Sequence, residues 1–149
     1  MITRDQIVAA ARGYLGTPFQ DKGRRKGQGM DCVGLILCVC HDLGLDDRHG
    51  APVTANLYHD YSGQPAGMFV QQSVAKHLVA KAVPAMQPGD VVTLALPSAP
   101  CHVAFVGARG TQLTLIHAYS GGGAKVMEND ITPQWKRRIK GCFSIPGVT

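Results

Sequence analysis

The sequence predicts an α+β fold, and two observations support this prediction. Apolar residues in the first half of the chain recur at helical spacing, whereas the second half consists of short apolar or β-branched runs separated by turns that contain glycine or proline. Helices followed by a series of strands indicate an α+β fold with an antiparallel sheet. The 149 residues, of which 45% are hydrophobic and 17% charged, suit a single globular domain that covers residues 1–149.

Two helices are predicted in the first third of the chain. The stretch Thr3–Gln6 has the form of a capping box, and the apolar residues after it predict a helix from Arg4 to Leu15. A second helix is predicted from Cys32 to Leu43, because its apolar residues form a broad face and Gly44 is a natural stop. Between them, Asp21 to Met30 is polar, basic and rich in glycine, which indicates an exposed loop.

The rest of the predicted framework is one further helix and a sheet of about five strands. After a long connection from Asp46 to Gly67, helical spacing resumes over Phe69–Val79. The predicted strands are Val91–Leu96, Val103–Val106, Leu113–His117, Lys125–Glu128 and Ile139–Ile145.

The composition limits the classes of function. The net charge of +5 is modest, and its two basic clusters, Arg24–Lys26 and Lys136–Lys140, are interpreted as solvated surface charge. Nucleic acid and an anionic cell-wall polymer are the alternatives for these clusters, and no nucleic-acid partner is predicted. No apolar stretch approaches the ~20 residues that span a bilayer, and no signal peptide is evident at the N-terminus. We therefore expect synthesis in the cytoplasm, no membrane insertion and, for an extracellular substrate, delivery by other machinery.

Cys32 lies at the junction between the basic loop and the second predicted helix. In the first turn of a helix, a thiol faces unpaired N–H groups and the positive end of the helix dipole, which can lower its pKa and make it a nucleophile. The alternative is that Cys32 is a small residue of the core, as many free cysteines are. Core packing is also the interpretation of Cys38 and Cys40. An odd total of five cysteines does not predict a disulfide framework.

Two histidines could serve such a nucleophile. His102 begins one predicted strand and His117 ends the next, so cross-strand pairing could bring their side chains together. A nucleophile on a helix N-terminus, a base on a strand and a third group that orients the base form a generalised catalytic triad. Each histidine could instead be structural, one at a sheet edge and one in the core. Metal binding by Cys32 and the two histidines is possible but less attractive, and no metal or cofactor is predicted.

The motifs of the chain resemble those of the NlpC family, the papain-like cysteine peptidases of the cell wall. Asp31–Leu35 matches the Asp-Cys-x-Gly-Leu signature of that family, and His102–Ala104 matches its histidine strand. The likeness is greatest to the branch from phages and gene transfer agents, and it covers nearly the whole chain in the correct order. The other matching stretches are Tyr14–Phe19, Pro88–Val92, Leu115–Tyr119 and Trp135–Ile139 with Phe143.

This resemblance implies a papain-like fold in which helices pack on an antiparallel sheet. It implies that Cys32 is the nucleophile, His102 the general base and His117 the orienting residue. The implied substrate is the stem peptide of peptidoglycan, cut between D-glutamate and a diamino acid, although some members are amidases. Phage tail proteins are the implied partners. The alternatives are a tail or baseplate component that binds the wall with little catalysis, and an amidase toxin delivered by a secretion system.

The chain departs from the family at one position that bears on catalysis. The family commonly has a tyrosine after the Thr-Pro step, where this sequence has Phe19, which lacks a hydroxyl donor. Loss of one donor to the oxyanion typically costs about 100-fold or more in turnover. The backbone N–H of Cys32 remains as a donor. Phe19, Gln20 and Asp31 are the weaker predictions for residues that line the substrate or oxyanion site.

Overall fold

The computed structural model describes residues 1–55, 57, 70–97 and 101–149. The helices are α1 (Arg4–Arg12), α2 (Cys32–Leu43), α3 (Val70–His77) and α4 (Pro133–Arg138). The strands are β1 (Arg24–Arg25), β2 (Gly29–Met30), β3 (Val79–Lys81), β4 (Val91–Leu94), β5 (His102–Arg109), β6 (Gln112–Tyr119), β7 (Lys125–Asp130) and β8 (Ile139–Ser144). Strands β1 and β2 form a small hairpin, and the other six form one antiparallel sheet in the order β3-β8-β4-β5-β6-β7. The predicted α+β class is therefore confirmed.

The large sheet is buried on both faces, and each face has its own apolar cluster. Phe105 and Ile116 belong to a cluster that also contains Ile7 of α1 and Leu35 of α2. Side chains alternate between the two faces along a strand, so the residues next to Phe105 and Ile116 point to the other face. Leu115 is one of these residues, and it belongs to the second apolar cluster. Helices α1 and α2 thus cover one face, and the beginning of α2 lies against the strand that carries His102.

Helix α2 begins and ends where the sequence predicts. Asp31 is its N-cap, with a carboxylate that accepts the N–H of Gly34 at 2.7 Å, and Gly44 ends it with φ 62°. The helix is pressed tightly against the preceding loop, because a Cβ on Gly34 would lie 2.2 Å from the carbonyl oxygen of Gly23. These contacts fix the position of Cys32, the first residue of the helix.

Several predicted boundaries are wrong. Helix α1 ends at Arg12, and the predicted helix Phe69–Val79 ends at His77, with Val79 already in the edge strand β3. The loop that was predicted to be exposed contains the β1–β2 hairpin, and its last residue, Met30, is fully buried. Phe69 and half of the predicted connection 46–67 lie outside the described residues. In the described part of the chain, no helix has the length and hydrophobicity needed to cross a membrane.

Candidate active site

Cys32 is partly buried at the N-terminus of α2, and its thiol interacts with the backbone N–H groups of Val103 and Val33. Burial, and then the negative charge of Asp31, raise the pKa of Cys32 to about 12, although these two N–H groups act in the opposite direction. The expectation of a lowered thiol pKa is therefore wrong for this structure. The helix N-terminus does favour the thiolate, but desolvation and the adjacent carboxylate outweigh it.

His102 and His117 are brought together by the pairing of β5 with β6. Phe105 pairs with Ile116, a register that places His117 diagonally across from His102 on the same face of the sheet. The distance between Nε2 of His102 and Nδ1 of His117 is 2.7 Å. The two histidines therefore form a direct hydrogen bond, as the strand pattern predicts.

Asn129, on β7, extends this pair and was not found from the sequence. Its Oδ1 lies 2.6 Å from Nε2 of His117, and its Nδ2 donates to the carbonyl of Asp130 at 3.2 Å. The predicted strand ends at Glu128, one residue before Asn129, so no sequence pattern placed this side chain in the sheet. Its register in β7, with Asn129 paired to Leu115, puts it diagonally across from His117.

The hydrogen bonds of Asn129 set the tautomers of both histidines. Because its Oδ1 accepts, His117 donates from Nε2 and must accept at Nδ1 when neutral. His102 then donates from Nε2 to His117, so the lone pair of its neutral ring lies on Nδ1. The three side chains therefore prepare Nδ1 of His102 to act as a base.

Both histidines are neutral near pH 7 in this structure. Burial, together with the neighbouring His117, lowers the pKa of His102 to about 3. Burial lowers the pKa of His117 to about 4, although the hydrogen bond to Asn129 acts in the opposite direction. Aromatic rings contribute to this burial: Tyr119 stacks on His117 at 5.4 Å between centroids, and Trp135 meets it edge-on at the same distance.

The structure places Cys32 next to the strand of His102 but forms no hydrogen bond between the two side chains. The thiol packs with the cluster on the helix side of the sheet, against the N–H of Val103. His102 turns its Nε2 towards His117. Cys32 packs against Val103, the residue that follows His102, so a neutral thiol and a neutral imidazole belong to neighbouring positions at the start of β5. Catalytic hydrogen bonds are often long or poorly aligned without substrate, so the missing hydrogen bond does not argue against a catalytic pair.

The three weaker site predictions have different outcomes. Asp31 accepts the N–H groups of Gly34 and Lys22, each at 2.7 Å, so its carboxylate caps α2 and holds the preceding loop, and its place at the substrate or oxyanion site stays a prediction. Gln20 lies over Gly29 and lines a cavity on the flank of α2. Phe19 is partly buried and packs against the core.

The two other cysteines of α2 differ in burial. Cys40 is buried in the core, as predicted, whereas Cys38 is only partly buried, with its Sγ 3.3 Å from the carbonyl oxygen of Arg24. Within the described residues, no three His, Cys, Asp or Glu side chains are grouped so that they could hold a metal ion.

The buried histidines predict a pH dependence of stability. Their pKa values are lower in the folded than in the unfolded chain, so the unfolded chain binds more protons below about pH 6.5. The free energy of unfolding should therefore fall on acidification, by up to about 1.4 kcal/mol per pH unit for each histidine. Urea unfolding at pH 7 and pH 5 measures this effect. The His117→Gln variant should lose less stability than the wild type over this interval, and an equal loss would contradict the assignment.

The structure thus has a cysteine at a helix N-terminus beside an antiparallel sheet that carries two hydrogen-bonded histidines, in an α+β fold. More specifically, the fold is that of NlpC/p60 domains. The structure is similar to the NlpC/p60 domain of the peptidoglycan hydrolase SagA, with a TM-score of 0.59, 24% identity, and coverage of 97% of this chain and 100% of that one.

Two other solved structures share the fold. An NlpC/p60 family protein from Bacillus cereus ATCC 10987 has a TM-score of 0.64 and 19% identity, over 94% of this chain but only 39% of that one. An N-acetylmuramoyl-L-alanine amidase from Bacteroides uniformis ATCC 8492 has a TM-score of 0.55 and 13% identity, over 94% and 96% of the two chains. No family model and no curated protein matches the sequence.

Proposed function

We propose that this protein is a peptidoglycan hydrolase that cleaves an amide bond of the stem peptide through a thioester on Cys32. The observation that carries the proposal is the hydrogen-bonded chain from Asn129 through His117 to His102, at the start of the strand against which Cys32 packs. The fold shared with a peptidoglycan hydrolase domain and with an amidase supports the choice of substrate.

In the proposed acylation, Cys32 gives its proton to Nδ1 of His102 while its sulfur attacks the scissile carbonyl carbon. Because both groups are neutral at rest, the proton moves during the attack and not before it. Collapse of the tetrahedral intermediate breaks the C–N bond, and His102 gives the proton to the leaving amine. The products of this half-reaction are a free amine and a thioester on Cys32.

In the proposed deacylation, water gives a proton to Nδ1 of His102 and attacks the thioester. Collapse of the second intermediate releases the carboxylic acid, and the proton returns to the sulfur of Cys32. The backbone N–H of Cys32, at the first position of α2, has no acceptor within the helix and is a donor for the oxyanion in both steps.

Digestion of purified sacculi, followed by mass spectrometry of the released fragments, tests this function. We expect the wild type to release fragments with a new amine on the diamino acid and a new carboxylate on D-glutamate. The Cys32→Ala variant removes the nucleophile and should release none, while its urea unfolding curve shows that it is folded. Release of the same fragments by Cys32→Ala at the wild-type rate would contradict the proposal.

Cleavage between the lactyl group and L-alanine is the second candidate, favoured by the shared fold of the Bacteroides amidase. The same digestion distinguishes it, because an amidase releases intact stem peptides with a free L-alanine amine. On the motif resemblance alone, we also propose that the protein is carried to the wall by a phage particle or exported by a secretion machine.

A further inference from the structure

A cavity lies on the flank of α2. The cavity has a volume of about 770 Å³ and is lined by residues from the C-terminal half of α2, from the β1–β2 hairpin, and from the segments around Tyr14 and Thr54. The α2 residues that line it run from Leu37 to Asp42. At 1.5 Å per residue, they lie roughly 8 to 15 Å along the helix from Cys32, so this part of the cavity lies away from the candidate nucleophile.

The lining of this cavity is strongly basic. Lys22, Arg24, Arg25 and Lys26 all contribute, and the acidic residue among the lining side chains is Asp42. The carboxylate of Asp42 is already engaged, because it accepts a hydrogen bond from the hydroxyl of Tyr14. Like charges that share one concave surface repel each other and create a positive potential that attracts anions. The function proposed above does not use this cluster.

The basic residues are carried by a tightly held segment. The backbone N–H of Lys22 donates at 2.7 Å to Asp31, the residue that caps α2. Gly23 is packed so closely that an added Cβ would lie 2.7 Å from the backbone of Gly29, on the other strand of the hairpin. The segment is thereby fixed against α2, and its cations project around one cavity. Such preorganisation lowers the entropic cost of binding a ligand.

We propose that this basic cavity binds a multivalent oxyanion, namely a phosphate- or carboxylate-bearing segment of an anionic polymer. Guanidinium groups form paired, charge-assisted hydrogen bonds with such groups, and Arg25 can supply them. A nucleic acid fits less well, since single strands are usually held by stacking on aromatic rings. Tyr14, which lines the cavity, is buried, and the ammonium of Lys26 lies 5.3 Å from its ring centroid.

Isothermal titration of the full chain with inorganic tripolyphosphate, and in parallel with citrate, tests this site. We expect saturable binding of one anion per chain, weakened by added salt. The double variant Arg25→Glu/Lys26→Glu should bind at least 10-fold more weakly. The matched control, Lys136→Glu/Arg137→Glu, changes the net charge equally in the other basic cluster and should stay within 2-fold of the wild type. The ratio of the two affinities distinguishes phosphate from carboxylate as the source of the oxyanion.

Alkylation of Cys38 is an independent readout, because this thiol is partly buried and lines the cavity. Bound tripolyphosphate should slow the reaction of Cys38 with iodoacetamide but not that of Cys101. The absence of saturable binding, or an equal loss in both double variants, would overturn the proposal. Tighter binding of a single-stranded oligonucleotide than of tripolyphosphate, lost in Arg25→Glu/Lys26→Glu, would overturn it in favour of nucleic acid.

Discussion

Replacing His102 by alanine is expected to lower the turnover of stem-peptide substrates by about 10²- to 10⁴-fold, the range attributed to a general acid–base residue. The variant loses the acceptor for the thiol proton of Cys32 and the donor to the leaving amine. The high pKa of Cys32, near 12 because of burial and Asp31, makes the effect large, since little thiolate exists near pH 7 without a base. Rates of fragment release measured at equal enzyme concentration test this expectation.

Substitutions of His117 and Asn129 should lower turnover less than His102→Ala does. Of the two, Asn129 lies farther from the reacting atoms and should have the smaller effect. His117→Ala removes the acceptor that orients His102, and misplacement of a catalytic group can lower the rate about 10²-fold.

Asn129→Leu should lower kcat less than His117→Ala does and should leave KM unchanged. Asn129→Asp keeps an acceptor for His117, so it should retain activity. Its added negative charge favours protonated histidine, so the acid limb of the pH–rate profile should move to higher pH.

The rate of alkylation of Cys32 separates this mechanism from a loss of folding. If His102 accepts the thiol proton, His102→Ala should slow the reaction of Cys32 with iodoacetamide at pH 7 by at least about 10-fold. The reaction of Cys101, which is also partly buried on this side of the sheet, should not change. Equal rates for Cys32 in the wild type and in His102→Ala would show that the two residues do not act as a pair.

Sequence patterns predicted those features of the fold that depend on neighbouring residues. Helix α2 was predicted from Cys32 to Leu43, because its cap, its apolar run and the left-handed Gly44 are all local signals. Strand β3 was missed, since it is stabilised by pairing with β8, some 60 residues later, and its three residues carry no strand pattern. Helix α4 was also missed, because its Thr-Pro start is typical of a turn as well as of a helix N-terminus.

The candidate site shows the same limit. The sequence pointed to Cys32, His102 and His117, because each lies at the end of a recognisable element. To predict that Asn129 contacts His117 requires the register of β7 against β6, and no local pattern determines that register. The direction of the pKa shift of Cys32 is determined by the burial of the thiol and the charge of Asp31, and both effects depend on tertiary packing. In this chain, local sequence patterns therefore pointed to the candidate site residues, whereas their protonation states depend on the fold.

Asp90→Ala is expected to cause the largest loss of stability among single substitutions of charged residues, about 3–5 kcal/mol. The carboxylate of Asp90 is completely buried, and it accepts from Arg4 at 2.6 Å, from Lys81 at 2.8 Å and from the backbone N–H of Gln87 at 2.8 Å. It thereby joins the start of α1, the edge strand β3 and the turn before β4. Alanine would leave two partly buried cations and one N–H group without this acceptor.

Urea unfolding at pH 7 measures this loss, and the chain offers a matched control. Asp130 also forms an ion pair, with Arg109 at 3.1 Å, but both side chains are about half exposed, 52% and 54% respectively. Exposed pairs contribute about 0–1 kcal/mol, so Asp130→Ala should change the free energy of unfolding by less than about 1 kcal/mol. Asp90→Asn keeps the shape of the side chain and one acceptor oxygen. Its loss in free energy of unfolding should therefore lie between the losses of Asp90→Ala and Asp130→Ala. If Asp90→Ala is no more destabilising than Asp130→Ala, the buried carboxylate does not hold these three elements together.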